Sequence, residues 1–216
     1  MKFFLPTLFF AALITGGCRH EKIELTAPYF PLEKGTAWCY GVSFQGAAEP
    51  FTQASWKIAG DTTLDGKPYK LLTNYDQPFK GIREDGGDYY KRKVGVFVNT
   101  TNAELRFLRT VNPDGAAWEQ EIGDYKYAFS QKLLPEYTLG ESTWKEVIEV
   151  RIQMSYKDQN GDFQPFIDFV TNEPSFAVYH FVKAVGIVHM SEPAEFNHFS
   201  DFAYSFSNEL VLMDCQ

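Results

Sequence analysis

Apolar and polar positions alternate with a period of two along most of the chain, which predicts half-buried strands rather than helices. Trp38, Tyr40, Val42 and Phe44 alternate with Cys39, Gly41 and Ser43. Extended runs from Phe51 to Thr63 and from Tyr69 to Asn74 flank Asp65-Gly66. Glu84-Asp85-Gly86-Gly87 likewise separates Gly81-Ile82-Arg83 from Tyr89-Tyr90-Lys91. Asp-Gly between extended runs predicts a tight hairpin, because both central residues need positive φ. The clearest strand runs from Trp144 to Tyr156. Ile148, Val150, Ile152, Met154 and Tyr156 face one way, Glu149, Arg151, Gln153 and Ser155 the other, and Glu146 alone interrupts the apolar row. At about 13 residues it exceeds the usual strand of five or six. That length predicts a large, curved antiparallel sheet.

Asp158-Gln159-Asn160-Gly161-Asp162 predicts a turn into Phe163 to Val170. Phe176 to His189 reads as one or two strands with a break near Ala184-Val185-Gly186, and Leu210 to Met213 as the last strand. Pro193 to Phe206 fits either element. Phe202, Tyr204 and Phe206 alternate, whereas Phe196, Phe199, Ala203 and Phe206 sit near helical spacing with Pro193 in the first turn. The expected fold class is therefore mainly β: a single antiparallel, strongly curved sheet with at most one or two short helices.

Composition narrows the partners. The formal net charge is −8, which disfavours nucleic acid or an anionic membrane surface, since both need basic patches. Acidity of this size serves solubility. Aromatic residues make up 17% of the chain; they favour strands, and they also stack on sugars or line apolar pockets.

The amino-terminal residues set the expected location. Lys2 precedes an apolar run from Phe3 to Ile14, followed by Thr15-Gly16-Gly17-Cys18 and then polar Arg19, His20, Glu21 and Lys22. The run is shorter than the roughly 20 residues a spanning helix needs. A basic start, a short apolar core and small residues at a cut form a secretory signal. With a cysteine directly after the small residues, the segment resembles a bacterial lipoprotein signal peptide, although Thr15 stands where such boxes usually carry Leu. Secretion without lipid is the alternative. The resemblance implies residues 1–17 as signal peptide, lipidation of Cys18, and residues 18–27 as the lipidated cysteine and its tether. Residues 28–216 then form a single β-rich domain. Arg19 after the cysteine, where aspartate would retain the protein at the inner membrane, points to the outer membrane. Of the three cysteines, Cys39 and Cys215 then remain, in a disulfide-permissive compartment. They are either a disulfide joining the first and last strands or two separate buried thiols.

Further elements carry a second resemblance. Tyr29-Phe30-Pro31-Leu32, Gly35, Trp38 and Tyr40 form an opening motif; Gly60-Asp61-Thr62-Thr63-Leu64-Asp65-Gly66-Lys67-Pro68-Tyr69, Arg83-Glu84-Asp85 with Tyr89-Tyr90, and Val185-Gly186-Ile187-Val188 follow. This set is similar to that of uncharacterised Gram-negative outer-envelope lipoproteins and secreted β-rich proteins. It implies an antiparallel sheet curved into a half-barrel or lipocalin-like form, and it carries no catalytic residues. Cys39 is not part of the usual pattern.

Candidate chemistry is sparse. Asp158, Asn160 and Asp162 have the odd spacing of a calcium loop, but Phe163 and Phe169 stand where the sixth-position glycine and twelfth-position glutamate belong; a hairpin turn is the simpler reading. His180, His189 and His198 match no compact zinc pattern, so packed or surface histidines are expected and no metal or cofactor is. No Gly-x-Ser-x-Gly elbow occurs. Glu119, Glu121, Asp124 and Glu146 supply acids, yet nothing selects a carboxylate pair for glycoside cleavage. Asn99-Thr100-Thr101 is a sequon, and Thr62 in Asp61-Thr62-Thr63 is a candidate O-glycosylation position.

The expected function is that of a non-enzymatic lipoprotein holding an apolar or lipid-like ligand on a curved sheet. Trp38, Tyr40, Phe44, Trp56, Trp144, Ile148, Met154 and Tyr156 are the expected ligand face; the same residues serve equally as a plain core. The alternative is an assembly subunit that docks an envelope protein partner. A glycan-active enzyme ranks last.

Overall fold

The computed structural model describes residues 27–44, 47, 49–93, 103–168, 171–193 and 208–214. The leader with Cys18, the Asn99 sequon, residues 194–207 with His198, and Cys215 lie outside the described residues.

Thirteen strands form one antiparallel sheet: β1 Ala37–Phe44, β2 Thr52–Leu64, β3 Lys67–Asn74, β4 Gln77–Asp85, β5 Asp88–Lys93, β6 Leu105–Arg109, β7 Ala117–Ile122, β8 Tyr125–Leu139, β9 Ser142–Lys157, β10 Phe163–Pro165, β11 Phe176–Val182, β12 Gly186–Glu192 and β13 Asn208–Met213. No helix occurs among the described residues. The order is β6-β5-β4-β3-β2-β1-β13-β12-β11-β9-β8-β7, with β10 added to β9. The sheet curls until it is nearly closed into a barrel, with β6 and β7 as the facing edges.

Local chemistry explains the hairpins. Asp65 and Gly66 have φ of 47° and 75°, and Gly86 and Gly87 have 61° and 87°; each pair supplies the positive φ of a two-residue turn. The run from Phe176 resolves into two strands around Lys183–Val185, and Asp158 caps its own turn. Its Oδ1 accepts the N–H of Asn160 at 2.9 Å and of Asp162 at 3.0 Å, which leaves a turn where calcium spacing was noted.

One face of nearly every strand points into the barrel. Trp38, Tyr40, Trp56, Ile58, Leu72, Phe107, Phe129, Ile148, Met154, Phe181 and Leu210 belong to a single buried cluster. Tyr29 and Phe30 insert from the amino-terminal side and belong to the same cluster; Phe30 packs 5.1 Å from Trp38 and 6.1 Å from Phe107, ring centre to ring centre. Three buried charged side chains line the interior as well. Tyr179 donates its O–H to Glu192, and the Lys80 and Lys91 ammonium groups lie 5.5 Å from the Trp56 ring and 5.4 Å from the Tyr179 ring. The cavity left between Phe30, Trp56, Lys80, Lys91 and Tyr179 measures about 10 Å³. That is the space of about one water molecule, so side chains fill this part of the barrel.

The gap between the two edges is bridged by side chains. Gln120 of β7 accepts the Arg106 N–H at 3.2 Å and donates to the Glu104 carbonyl, while Trp118 donates to the Arg106 carbonyl at 3.2 Å.

Candidate functional site

The long β8–β9 hairpin leaves the barrel wall at a bend. The ladder passes from Leu134↔Val147 to Glu136↔Lys145 and skips Pro135 and Glu146. Proline has no N–H to offer a ladder, and Glu146 sits at φ 53°. The one acid in the apolar row of β9 therefore marks where the strand turns. Its two successors separate: Ile148 enters the barrel core and Val147 enters a second cluster outside the wall, with Val182 and Val188. The bend is pinned by the Tyr29 hydroxyl donating to the Glu146 carbonyl at 3.1 Å and by Lys183 at 3.3 Å from the Glu146 carboxylate.

Beyond the bend, Tyr137 and Trp144 stack at 6.3 Å on the outer face of β11, β12 and β13, beside Leu134, Val185 and Leu212. A polar cluster is buried beneath them. A register shift in the β11–β12 ladder sets His180 opposite His189, and such a bulge re-aims side chains. The two Nδ1 atoms lie 3.3 Å apart, and the Tyr137 hydroxyl is 2.7 Å from His189 Nδ1. Each outer nitrogen meets a carboxylate: His180 Nε2 is 3.2 Å from Glu149 and His189 Nε2 is 2.8 Å from Glu209. The Tyr137 ring stacks on His180 at 3.8 Å. Burial, reinforced by Glu209 and Glu149, pushes the Tyr137 phenol up to about 12. Burial and then the charge of His189 hold His180 well below the ordinary histidine value.

Each of the four ring nitrogens of the pair has a partner atom within 3.3 Å, so neither histidine presents an open nitrogen to an incoming substrate. No group of three or more His, Cys, Asp or Glu among the described residues is arranged to hold a metal ion. What the arrangement can do is hold protons and pin the hairpin.

A groove of about 530 Å³ runs alongside, between Ser142 and Trp144 of the hairpin tip, Trp38 and Cys39 of β1, Val185, Leu212 and Met213 of β13, and Asp214 just after it. A second groove of similar size on the far side of the bend carries Glu84, Glu146 and Lys183 and is the more charged of the two.

The residues expected on a ligand face divide three ways. Trp38, Tyr40, Trp56, Ile148 and Met154 are buried in the barrel core. Trp144 belongs to the outer cluster. Phe44 and Tyr156 are 48% and 42% exposed at strand ends, so Tyr156 leaves the inward row of β9. Trp38 and Trp144 meet at one groove. Thr62 is half-buried in β2, beside Asp61, whose carboxylate pairs with Lys70. Cys39 stands opposite Met213 in the β1–β13 ladder. Tyr137 and Glu209 went unnoticed in the sequence; the usable signal was Pro135, a proline inside an otherwise extended run.

Compared with family models, curated proteins and solved structures, the chain matches none.

Proposed function

We propose that this chain is a lipid-anchored, non-enzymatic envelope protein that binds an apolar or lipid-like ligand in the groove between the β8–β9 hairpin tip and strands β1 and β13. One observation carries the reading. Between Phe30, Trp56 and Tyr179 the barrel interior leaves only about 10 Å³, while a groove of about 530 Å³ opens between Trp38 and Trp144. Trp38, Trp144, Val185 and Leu212 give the groove apolar walls, while Thr36, Ser142 and Asp214 are among the groups that make more than half of its open surface polar; ligand pockets combine apolar walls with placed polar groups. The leader supports attachment through Cys18 at the outer membrane. Lipid chains on that cysteine would hold the domain without a spanning segment.

Native mass spectrometry of the purified chain, with lipid extraction, tests the reading. A co-purifying apolar molecule whose occupancy falls in Trp144→Ala and Leu212→Asp is the expected result. Absence of any bound or accepted apolar molecule overturns it. Intact mass of the membrane-extracted protein tests the anchor: Cys18 carries lipid, and a Cys39–Cys215 disulfide removes two hydrogens.

A second reading, docking of an envelope protein, has its own observation. Tyr156, Ile167 and Phe176 are exposed on the β9–β10–β11 side, with Phe166 5.2 Å from Tyr156. It predicts a protein partner that co-purifies from gently solubilised membranes and is lost in Phe176→Asp but not in Trp144→Ala.

A further inference from the structure

The histidine cluster is short of one hydrogen. Tyr137 Oη to His189 Nδ1, His189 Nδ1 to His180 Nδ1, His180 Nε2 to Glu149 and His189 Nε2 to Glu209 are contacts of hydrogen-bond length. Each requires a hydrogen between its two atoms. Ionised carboxylates only accept, and a neutral imidazole carries a single N–H. The glutamates therefore draw both Nε2–H groups, which leaves both Nδ1 atoms bare. The Tyr137 hydroxyl serves His189 Nδ1. His180 Nδ1 is then left facing a second lone pair at 3.3 Å. One added proton on the Nδ1–Nδ1 contact completes the set: carried on His189 Nδ1, it faces both the Tyr137 oxygen and the His180 Nδ1 lone pair, while both Nε2–H groups stay on the glutamates. A second proton would put two cations on rings 5.3 Å apart in a buried site.

We propose that this cluster is a one-proton latch: the His180–His189 pair takes up a single proton on acidification, and that proton clamps the β8–β9 hairpin tip onto the barrel wall. The contacts that the hairpin makes with the pair strengthen when it is charged. The Tyr137 oxygen, 2.7 Å from His189 Nδ1, accepts from a charged N–H. The Tyr137 face, 6.0 Å from the His189 ring, gains a cation–π interaction. The lowered proton affinity of His180, caused by burial and then by charge on His189, acts against the second proton.

Among the described residues, the surrounding charges are few. Tyr137 and Lys132 come from β8, Lys132 standing opposite Glu149 in the ladder. Glu149 and the exposed Arg151 come from β9, and Glu209 from β13. Lys183, after β11, is paired with Glu146. Glu192 of β12 points into the barrel and accepts from Tyr179, and Ser43 of β1 donates to the Glu209 carbonyl at 3.4 Å. The latch adjoins the groove through Trp144; any control of ligand entry rests on the binding function proposed above, whereas the latch itself does not.

Histidine ring and tryptophan indole NMR of the full chain in detergent tests it, with His180→Gln and His189→Gln assigning the rings. Between about pH 7.5 and pH 5, both rings are expected to shift at one shared midpoint, with uptake of one proton, and the Trp144 indole signal to follow the same curve. Glu209→Gln should lower that midpoint by about one pH unit. His189→Gln should abolish the Trp144 response; if that variant does not fold, the Glu209→Gln shift decides. Separate midpoints for the two rings, or a Trp144 signal indifferent to pH, overturn the proposal. So does added zinc reproducing the low-pH spectrum at pH 7.5, which would make the pair a metal site instead. A ligand that fails to bind leaves these curves unchanged, so failure of the binding reading is seen separately.

Discussion

The side-chain amide of Gln131 grips the backbone of Arg109 in both directions. It accepts the Arg109 N–H at 2.7 Å and donates to the Arg109 carbonyl at 2.8 Å. Gln131 points inward from β8 and is 4% exposed. It stands in for the strand neighbour that β6 lacks, so the seam of the barrel is sealed by an amide side chain rather than by a ladder. Gln131→Leu removes both bonds at similar volume and orphans an N–H and a C=O, at roughly 1–3 kcal/mol each. A loss of about 2–4 kcal/mol in urea unfolding, with faster exchange of the Arg109 amide, is expected. A change within about 0.5 kcal/mol, the usual span of surface substitutions, would show that the seam is held otherwise.

The alternation of Trp38 to Phe44 and of Ile148 to Met154, together with Asp65-Gly66 and Gly86-Gly87, made the strands and hairpins legible. These are local signals: a two-residue period and a demand for positive φ. The barrel closure was not legible, because Gln120 and Gln131 look like ordinary polar strand residues until β6 is seen opposite them. The histidine cluster was hidden for a related reason. His180 and His189 meet only through a register shift between β11 and β12, and Tyr137 reaches them only because β8 and β9 bend at Pro135 and Glu146. A ligand face and a plain core could not be told apart, since an apolar row is the same pattern whether it lines a cavity or fills one.

The β3–β4 turn is built from the wrong residues for its shape. Tyr75 and Asp76 have φ of 47° and 62°, a conformation that Asn-Gly or Asp-Gly adopts with least strain. Tyr75 is retained by its hydroxyl, which donates to the Gln53 carbonyl at 2.7 Å. Asp76→Gly relieves the second position alone. A gain of about 0.5–1 kcal/mol is expected, the relief of left-handed strain being reduced by the added freedom of the unfolded glycine. Thermal unfolding of the variant checks it, and a loss of stability would mean that the Asp76 side chain matters more than its backbone.

Glu104, just before β6, ties itself to β3 and β4 at one end of the barrel. Arg83 of β4 grips it in two bonds of 2.6 and 2.8 Å, Lys67 lies at 3.0 Å, and the Tyr69 hydroxyl also donates to it. The bonds to Arg83, together with Tyr69 and Lys67, hold its carboxyl down to about 2 against the opposing effect of burial. A depressed carboxylate stabilises the fold in full above its unfolded value of 4.5. That stabilisation drains away as pH falls from there through 2, at most about 3 kcal/mol for a shift of this size. Stability of the native chain should fall over this window, and Glu104→Gln should flatten the slope while lowering stability at pH 7. An equally steep slope in the variant would assign the acid sensitivity to other carboxylates.

Trp38 and Gly186 hold the opening motif against the late Val-Gly-Ile-Val segment. The Trp38 indole N–H donates to the Val185 carbonyl, and the Tyr40 hydroxyl donates to the Ile187 carbonyl at 3.1 Å. Gly186 lies between these two acceptors at φ 100°, and a Cβ placed there would sit 3.0 Å from Trp38 Nε1. Gly186→Ala therefore meets two obstacles, a left-handed backbone that costs an L-residue roughly 1–2 kcal/mol and a steric clash with the indole. The two separate in a double-mutant cycle. In the native background Gly186→Ala should cost about 2–4 kcal/mol, within the range of backbone strain combined with overpacking. In the Trp38→Phe background, where the smaller ring vacates the space, the cost should fall to the backbone component alone, about 1–2 kcal/mol. Chemical denaturation of the four proteins gives the coupling directly. If the cost of Gly186→Ala is the same in both backgrounds, the indole is not what demands glycine there, and the two motifs are held together by the Tyr40 bond and by packing instead.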